Sequence, residues 1–271
     1  MTVPELPEVE TTKRGISPYA IGHFIEKVIV RHKKLRWPLD KKSLNSLNNK
    51  IIIDCSRRGK YLQLQTEKGN ILIHLGMSGS LRIIENEEAG KHDHVDIVLS
   101  NGKSIRYNDP RRFGCVVVNQ EGNKHRLLVN LGVEPLSDGF DDDFLFRESR
   151  KRNVPVKAFI MNGQIVVGVG NIYAQEALFT SGIHPNRPAS RISKKRFALL
   201  TQNIRKVLHD AIKAGGSSLK DFTGADGKPG YFQQTLKVYG RKDESCIICN
   251  KKLKQIIIGQ RSTVFCSGCQ T

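Results

Sequence analysis

The sequence lacks any apolar run long enough to cross a membrane. No segment approaches the roughly 18 consecutive apolar residues that a spanning helix requires. The first residues also lack the basic start and short apolar stretch of a secretory signal. These absences predict a cytoplasmic protein that does not act in a membrane.

Cysteine is scarce outside the C-terminal end. Four of the six cysteines form two CxxC pairs there, whereas Cys55 and Cys115 stand alone in strand-like surroundings. This usage excludes a disulfide framework spread along the chain, and it favours a metal site plus two buried thiols. The chain also shows no internal repeat and no low-complexity tract, which excludes a solenoid.

Acidic residues are few relative to basic ones. The 271 residues carry 44 Lys and Arg against 26 Asp and Glu, giving a net charge of +18. Such a field favours a polyanionic partner, of which nucleic acid is the commonest. A merely soluble basic protein, or one that touches an anionic membrane surface, remains an alternative on charge alone.

Short β-branched runs separated by turn residues fill the region from Phe24 to Val118. Examples are Ile51–Ile53, Tyr61–Leu64, Ile71–Ile73, Val95–Val98 and Cys115–Val118, with turn residues such as Glu67–Asn70 and Asn101–Lys103. This spacing predicts antiparallel strands, and therefore a β-sandwich or barrel. The preceding stretch, Val9–Ala20, has helical spacing and is expected to pack on the sheet.

After Gly139 the pattern becomes helical, over Asp141–Lys151, Ala174–Ser181 and Lys194–Ala214. Gly, Pro, Ser and Asp cluster between Gly132 and Gly139, which favours a domain boundary there. A loop, Gly224–Gly230, then leads to the cysteines. We therefore predict three domains: residues 1–135, 136–238 and 239–271.

The most specific motif is the pair Cys246-Ile-Ile-Cys249 followed, after 16 residues, by Cys266-Ser-Gly-Cys269. Four thiolates in two close pairs suit a closed, tetrahedral, structural Zn²⁺ site, with disulfides as the alternative. Strand-like segments Gln255–Ile258 and Ser262–Phe265 flank Gly259-Gln260, which predicts a hairpin with Arg261 just past its tip.

Three further segments are weaker when taken singly. Gly168-Val-Gly170 precedes a helix and can present N–H groups to a phosphate, although the segment taken alone favours an ordinary helix start with Asn171 as N-cap. The acidic Pro4–Glu10 segment suits a helix N-terminus. Asp109–Gly114 places two arginines beside a phenylalanine, which fits insertion into a base stack or a simple solvated turn.

Together these segments resemble the formamidopyrimidine-DNA glycosylase family along nearly the whole chain. The matching blocks are PELPEVE, RRGKYL, HLGMSGSL, KHDHVD, DPRRFG, VVGVGNIYAQEALF, DGKPGYF and the four-cysteine end. The resemblance implies an α+β multidomain fold: an N-terminal antiparallel β-sandwich, a helix-two-turn-helix domain and a zinc-finger hairpin. It implies a bacterial, nucleoid-associated monomer that excises oxidised purines from double-stranded DNA and cuts abasic sites by β,δ-elimination, without an organic cofactor.

The resemblance also assigns roles to individual residues. Pro4 matches the nucleophilic N-terminal proline, Glu5 the proton-transferring acid, and Glu8 a residue of the lesion pocket. Lys60 matches the β-elimination lysine. The residues that match the family's phosphate clamp are Lys60, His74, Asn171 and Arg261, and Arg261 is also implicated in δ-elimination. The wedge is matched by Met77, Arg111 and Phe113, and other DNA contacts by His92, Arg152 and Tyr239. The zinc ligands are matched by Cys246, Cys249, Cys266 and Cys269.

Two positions depart from the family pattern. Met1-Thr2-Val3 precedes Pro4, and a proline within a chain is an amide without a nucleophilic nitrogen. Val3 suggests an explanation, because a GTG codon encodes valine internally and can also start translation. Asn162 stands where the family usually has an acidic residue.

Three other functions compete with this interpretation. An endonuclease VIII-like enzyme for oxidised pyrimidines has a similar fold, but Leu6 favours the purine branch. A non-catalytic binder of damaged DNA would result if the amine of Pro4 stays blocked. An RNA-binding ribbon protein would leave PELPEVE and the wedge residues unexplained.

Overall fold

The computed structural model describes residues 4–120, 122, 125–216 and 236–271. The predicted Gly224–Gly230 loop, the DGKPGYF block and Met1–Val3 lie outside these residues. The described chain forms two compact units: residues 4–129 with 214–216, and residues 130–213 with 236–271. In the part of the chain described, no helix is both long and apolar enough to span a bilayer.

The first unit is built on eight strands. Its elements are α1 Leu6–Ala20, β1 Ile25–Val30, α2 Lys41–Asn45, β2 Ile52–Arg58, β3 Tyr61–Thr66, β4 Gly69–His74, β5 Ser80–Ile84, β6 Asp93–Leu99, β7 Ser104–Asn108, β8 Cys115–Gln120 and α3 Arg126–Val129. The strands form two four-stranded sheets, in the orders β1-β6-β7-β5 and β2-β3-β4-β8. All strand pairs are antiparallel, which confirms the prediction.

One apolar core joins α1 to both sheets. Val9 and Ile16 of α1 contribute to it together with Ile71 and Ile73 of β4 and Ile105 of β7. Ile71 and Ile73 lie two residues apart and so share one face of β4, while Leu72 between them is buried on the other face. Cys55 and Cys115 are buried, and burial raises the pKa of each thiol to about 11, so both remain protonated at neutral pH.

Strand β7 is one of three strands outside the five runs named above, and it carries a charge in its middle. Arg106 is only 2% exposed, and its guanidinium donates to both carboxylate oxygens of Asp96, at 2.9 Å each. A buried cation is tolerated when it is paired and hydrogen-bonded in this way. Hydrophobic patterning alone therefore misses this strand.

The second unit is mainly helical. It contains α4 Phe144–Ser149, α5 Val156–Ile160, α6 Asn171–Thr180, a 3₁₀ turn at Ala189–Arg191, α7 Lys194–Lys213, β9 Lys254–Ile258 and β10 Arg261–Phe265. Helix α6 packs against α7, which buries Phe197, Leu200 and Ile204 on one face. Gly259 and Gln260 have φ values of 55° and 60°, as a tight hairpin turn requires, and this confirms the predicted hairpin.

The predicted N-cap of α6 is wrong. Gly170 is the N-cap, and Asn171 is the first residue of the helix. The side chain of Asn171 is bound elsewhere: its oxygen accepts from Lys157 and its nitrogen donates to the carbonyl of Ser262. Those distant partners compete with the local capping bond that the sequence suggested.

Candidate active site

Two buried carboxylates lie beside Pro4 at the start of α1. Pro4 is itself buried, and Glu5 and Glu8 are each 2% exposed. The Glu8 carboxylate accepts a hydrogen bond from the backbone N–H of Glu5 at 2.9 Å, which fixes the first turn of the helix. Two acids held next to one another in this way can transfer protons at a reacting centre.

Gly216 approaches Glu8 closely, and sequence analysis did not identify it. A Cβ atom added to Gly216 would lie 3.5 Å from Oε1 of Glu8, and the glycine has a φ of +87°. A side chain here would be strained and would contact the Glu8 carboxylate.

Lys60 lies next to the strand that pairs with His74. Lys60 lies in the turn between β2 and β3, and the next residue, Tyr61, pairs with His74 of β4. Nδ1 of His74 accepts from the N–H of Gly76 at 2.9 Å, so the neutral ring carries its proton on Nε2. Burial, together with the nearby charges of Lys60 and Arg36, lowers the pKa of His74 to about 4. His74 is therefore a neutral hydrogen-bond donor at physiological pH.

Two loops of the first unit carry the candidate wedge. Met77 lies in the turn after β4, and Arg111 and Phe113 lie in the loop after β7. The Arg111 guanidinium carbon is 5.0 Å from the centre of the Phe113 ring, and that ring is 45% exposed. An exposed aromatic with a cation over its face can stack on a base. The structure thus brings Arg111 and Phe113 together.

His92 lies at the base of the same loop. Its backbone carbonyl accepts from the N–H of Asp109 at 3.0 Å, and its side chain is half-buried. This contact places His92 close to the loop that carries Arg111.

In the second unit, a buried lysine joins Asn171 to the hairpin. Lys157 is 1% exposed, and its ammonium donates to Oδ1 of Asn171 at 2.5 Å and to Oγ1 of Thr263 at 2.6 Å. The Asn171 nitrogen donates to the carbonyl of Ser262 at 3.2 Å. Arg261, the residue before Ser262, is exposed. The structure therefore brings Asn171 and the strand that begins at Arg261 together.

A cavity of about 200 Å³ lies beside this group. It is lined by Lys157, Ala158, Met161, Ile258, Gly259 and Arg261. The two basic residues give it the charge that an anionic ligand requires.

Tyr239 is held by a residue whose role sequence analysis did not assign. Glu176 of α6 is 3% exposed, and its carboxylate accepts from the backbone N–H groups of Lys237, Val238 and Tyr239 at 2.9 to 3.0 Å. A carboxylate with three N–H donors is a strong anchor. It fixes the segment that leads into the four cysteines.

Arg152 and Asn162 lie on other parts of the second unit. Arg152 follows α4 and is exposed, and its Nε donates to the carbonyl of Glu148 at 3.1 Å. The side-chain oxygen of Asn162 accepts from the N–H of Gln164 at 3.0 Å, which forms a turn. An aspartate would make the same turn, so the amide keeps the local conformation and removes one negative charge.

The four C-terminal cysteines form a metal site. Their sulfur atoms all lie within 4.8 Å of one another, with Sγ of Cys246 3.8 Å from Cys269 and Sγ of Cys249 3.4 Å from Cys266. Tetrahedral coordination with bonds of about 2.3 Å would separate the thiolates by about 3.8 Å. The spacing fits a closed structural site.

Family models match both units. The model described as "Formamidopyrimidine-DNA glycosylase N-terminal domain" matches residues 3–116, and "Formamidopyrimidine-DNA glycosylase H2TH domain" matches residues 131–223. The chain is 52% identical over 269 residues to formamidopyrimidine-DNA glycosylase of Stutzerimonas stutzeri, covering 99% of this chain and 100% of the relative. It is 51% identical over 270 residues to that of Hahella chejuensis, with the same coverage.

Solved structures agree with these matches. The MutM (Fpg) protein of Thermus thermophilus has a TM-score of 0.88 and 35% identity, over 98% of each chain. The complex of Lactococcus lactis Fpg with abasic-site DNA has a TM-score of 0.89 and 30% identity, over 98% of this chain and 99% of that one. A complex of the same enzyme with DNA containing N7-benzyl-Fapy-dG has a TM-score of 0.90 at 30% identity, over 99% and 100%.

Proposed function

The chain belongs to the formamidopyrimidine-DNA glycosylase family, and from that premise we propose how its own residues act. It is a DNA glycosylase with abasic-site lyase activity, and it acts on double-stranded DNA that contains oxidised bases. Its substrates are oxidised purines, 8-oxoguanine and formamidopyrimidines among them. The agreement of both family models and of the buried Pro4, Glu5 and Glu8 group carries this proposal.

Pro4 is the proposed nucleophile in the form of the chain that begins at this residue. Its secondary amine attacks C1′ of the damaged nucleotide, and the bond from C1′ to the base breaks with its electron pair leaving on the base. Glu5 supplies a proton to the departing base or to O4′ of the sugar, and the amine loses its own proton as the C1′–O4′ bond breaks and the iminium forms. Glu8 lines the pocket beside it.

A terminal amine suits this chemistry because it is neutral more often than a lysine. The pKa of an α-amino group is about 8 and that of lysine is about 10.4, so the terminal amine is roughly 250-fold more available at pH 7. The iminium activates the C2′ proton. Removal of the C2′ proton breaks the bond to the 3′ phosphate, and we propose that Lys60 assists this step. A second elimination breaks the bond to the 5′ phosphate, and we propose that Arg261 assists it.

We assign the phosphate clamp to Lys60, His74, Asn171 and Arg261. His74 offers the N–H of Nε2 because Nδ1 is already bound to Gly76. Asn171 offers an amide nitrogen that uses one of its two N–H groups on Ser262. Lys60 and Arg261 supply the charges. The clamp therefore combines two neutral donors with two cations.

Met77, Arg111 and Phe113 are the proposed wedge. Flipping a nucleotide out of the stack costs a few kcal/mol, and apolar side chains that fill the gap offset that cost. Arg111 faces the orphaned cytosine, whose exposed edge offers acceptors to a guanidinium. His92, Arg152 and Tyr239 are assigned to additional DNA contacts.

The metal of the four-cysteine site is proposed to be one structural Zn²⁺, which supplies no chemistry and stabilises the hairpin that presents Arg261. Basic charge and DNA binding lead us to propose a monomeric protein of the bacterial nucleoid. The domain limits 1–135, 136–238 and 239–271 stand as our proposal.

The direct test is excision by the chain that begins at Pro4. Duplexes with 8-oxoguanine, with an oxidised pyrimidine or with no lesion are incubated with enzyme, and released base and cut strand are quantified. We expect release from the 8-oxoguanine duplex, with phosphate at both ends of the gap. Glu5→Gln should abolish release, whereas Glu26→Gln, on the exposed side of β1, should leave it unchanged. Release from the pyrimidine duplex alone would indicate an endonuclease VIII-like enzyme, and binding without release a damage binder.

A further inference from the structure

The carboxylate of Asp109 is a buried junction between the two loops of the wedge. Asp109 is 0% exposed. Oδ1 accepts from the hydroxyl of Ser78 at 3.0 Å and from the N–H of Arg111 at 3.3 Å. Oδ2 accepts from the N–H of Gly114 at 2.9 Å and lies 3.2 Å from the hydroxyl of Tyr107. One side chain thus binds the Met77 turn, through Ser78, and both ends of the Arg111–Phe113 loop.

Ser78 connects the two loops a second time. Its hydroxyl donates to Asp109 and accepts from the N–H of Arg111 at 3.3 Å. Ser78 is 8% exposed, so it does not offer a surface to DNA. It lies directly after Met77 in the chain. The bond therefore joins the side chain of the residue after Met77 to the backbone of Arg111.

The loops also touch at their backbones. A Cβ atom added to Gly76 would lie 2.4 Å from the nitrogen of Gly114, and one added to Gly114 would lie 2.4 Å from the carbonyl oxygen of His74. Both distances are far below van der Waals contact. Glycine at these two positions allows the loops to pack without a side chain between them.

The hydroxyl of Tyr107 is the fourth group that contacts the Asp109 carboxylate. Burial, and then the charge of Asp109, raise the pKa of Tyr107 well above its usual value, so its hydroxyl keeps its proton. It lies 3.2 Å from the carbonyl of His74 as well as from Asp109. Every group around the Asp109 carboxylate is a donor, and such a carboxylate holds its surroundings strongly.

We propose that Asp109 and Ser78 are positioning residues that make Met77 and Arg111 a single preformed wedge, and that they thereby set selectivity for the base opposite the lesion. This inference rests on the proposed function. Arg111 can discriminate cytosine from adenine only if its guanidinium is held at a fixed place when the lesion leaves the stack. Its backbone N–H is fixed by Asp109 and Ser78, and its guanidinium lies over Phe113.

The primary test is Ser78→Ala, with Ser80→Ala as the matched control. Ser80 lies two residues along the same chain segment and makes none of these bonds to Asp109 or Arg111. Excision rates are measured for 8-oxoguanine opposite cytosine and opposite adenine. Loss of one such hydrogen bond is expected to reduce the ratio of the two rates by about 2-fold to 10-fold. Arg111→Ala is measured for comparison, because it shows how far the ratio falls when the guanidinium is removed.

Two readouts separate positioning from general damage. Binding to undamaged duplex should keep its salt dependence in Ser78→Ala, because no phosphate contact is removed. The fluorescence of a 2-aminopurine opposite an abasic site follows insertion of the wedge. It should change more slowly or by a smaller amount with Ser78→Ala than with Ser80→Ala. A merely structural defect would instead lower all activities together.

Asp109→Asn changes the carboxylate that accepts the hydrogen bond from Ser78. Oδ1 faces the N–H of Arg111 as well as Ser78, and Oδ2 faces the N–H of Gly114, so the new amide nitrogen opposes a backbone donor in either orientation. Asp109→Asn should therefore lower discrimination at least as much as Ser78→Ala, and the double variant should lose less than the product of the single losses, because both changes break the same junction.

Unchanged discrimination in Ser78→Ala, or independent effects in the double variant, would overturn the inference. Either result would leave the proposed function intact if the parent enzyme still discriminates. Absence of excision by the unsubstituted chain that begins at Pro4 would instead refute the proposed function.

Discussion

The side-chain oxygen of Gln175 accepts a hydrogen bond from the backbone N–H of Val264 at 2.6 Å. The nitrogen of the same amide donates to the carbonyls of Asn171, at 2.9 Å, and Ser262, at 3.2 Å. Gln175 is 2% exposed. One buried amide therefore joins the first turn of α6, which carries Asn171, to the strand that begins at Arg261.

Replacing Gln175 with methionine should destabilise this connection. The change keeps the volume and leaves the buried N–H of Val264 without its acceptor, which typically costs about 1–3 kcal/mol. Denaturant unfolding measures the loss of stability, and titration with an abasic-site duplex measures the loss of affinity. The control is Gln202→Met on α7, whose amide makes one exposed bond to Asp142. Equal effects of the two substitutions would show that the Gln175 bonds do not hold the clamp.

His74 should contribute to DNA binding without its charge. Because its pKa is lowered to about 4, the ring is neutral at pH 7 and releases no counterion when it meets a phosphate. His74→Gln, which retains a neutral N–H donor, should leave the slope of log K against log salt unchanged. Lys60→Gln should make that slope shallower by about 0.9. A shallower slope in His74→Gln would contradict the neutral state.

The same shift predicts how acid affects stability. An unfolded histidine binds a proton near pH 6.5, whereas native His74 does so only near pH 4. Between pH 4 and pH 6.5 the unfolded state therefore binds more protons than the native state. The contribution of neutral His74 to the free energy of unfolding is full above pH 6.5 and is lost as the pH falls toward 4. His74→Gln should show a smaller fall in the free energy of unfolding from pH 7 to pH 5 than the parent. An identical fall would argue against the shift.

Arg261 should account for about one unit of the salt dependence. If about five phosphates are neutralised, the slope for undamaged duplex should be roughly −4.5, and Arg261→Ala should make it shallower by about one unit. Arg147→Ala is the control, because that guanidinium is already paired with both oxygens of Asp141. An unchanged slope in Arg261→Ala would remove this residue from the clamp.

The cysteine site should hold one zinc ion per chain. A module of this size needs a metal to fold, so chelation should abolish DNA binding while the antiparallel sheets of the first unit keep their circular dichroism. Elemental analysis of the parent and of Cys246→Ser provides the count. Fully active protein with no bound zinc would refute the assignment.

The local signals in the sequence predicted several elements well. The spacing of Val9 and Ile16 identified α1, and Gly259 identified the hairpin turn, because both signals depend on residues close in the chain. Strand β7 was hidden by Arg106, whose partner Asp96 is on a different strand. Patterning cannot show that a charge is buried when the group that neutralises it is remote.

The same limit applied to the site. Motifs located Asn171 and Arg111, but they did not show what holds these residues. Gln175 and Lys157 bind backbone and side-chain groups 87 to 106 positions away, and Asp109 binds Ser78 across 31 positions. Such contacts arise only when the chain folds, so resemblance indicated the reacting groups and the structure was required to find their supports.

The central claim is that the amine of Pro4 forms the covalent intermediate, and borohydride trapping tests it most directly. Two forms are prepared, one that begins at Pro4 and one that retains Met1–Val3, and mass spectrometry confirms each terminus. Both are treated with borohydride on an 8-oxoguanine duplex. The form that begins at Pro4 should be trapped on DNA, with the adduct mapped to its terminal residue. The longer form should bind the duplex without a covalent product, because its proline nitrogen is an amide. Comparable trapping by the longer form would contradict the claim and would direct the search for the nucleophile to a lysine, with Lys60 first.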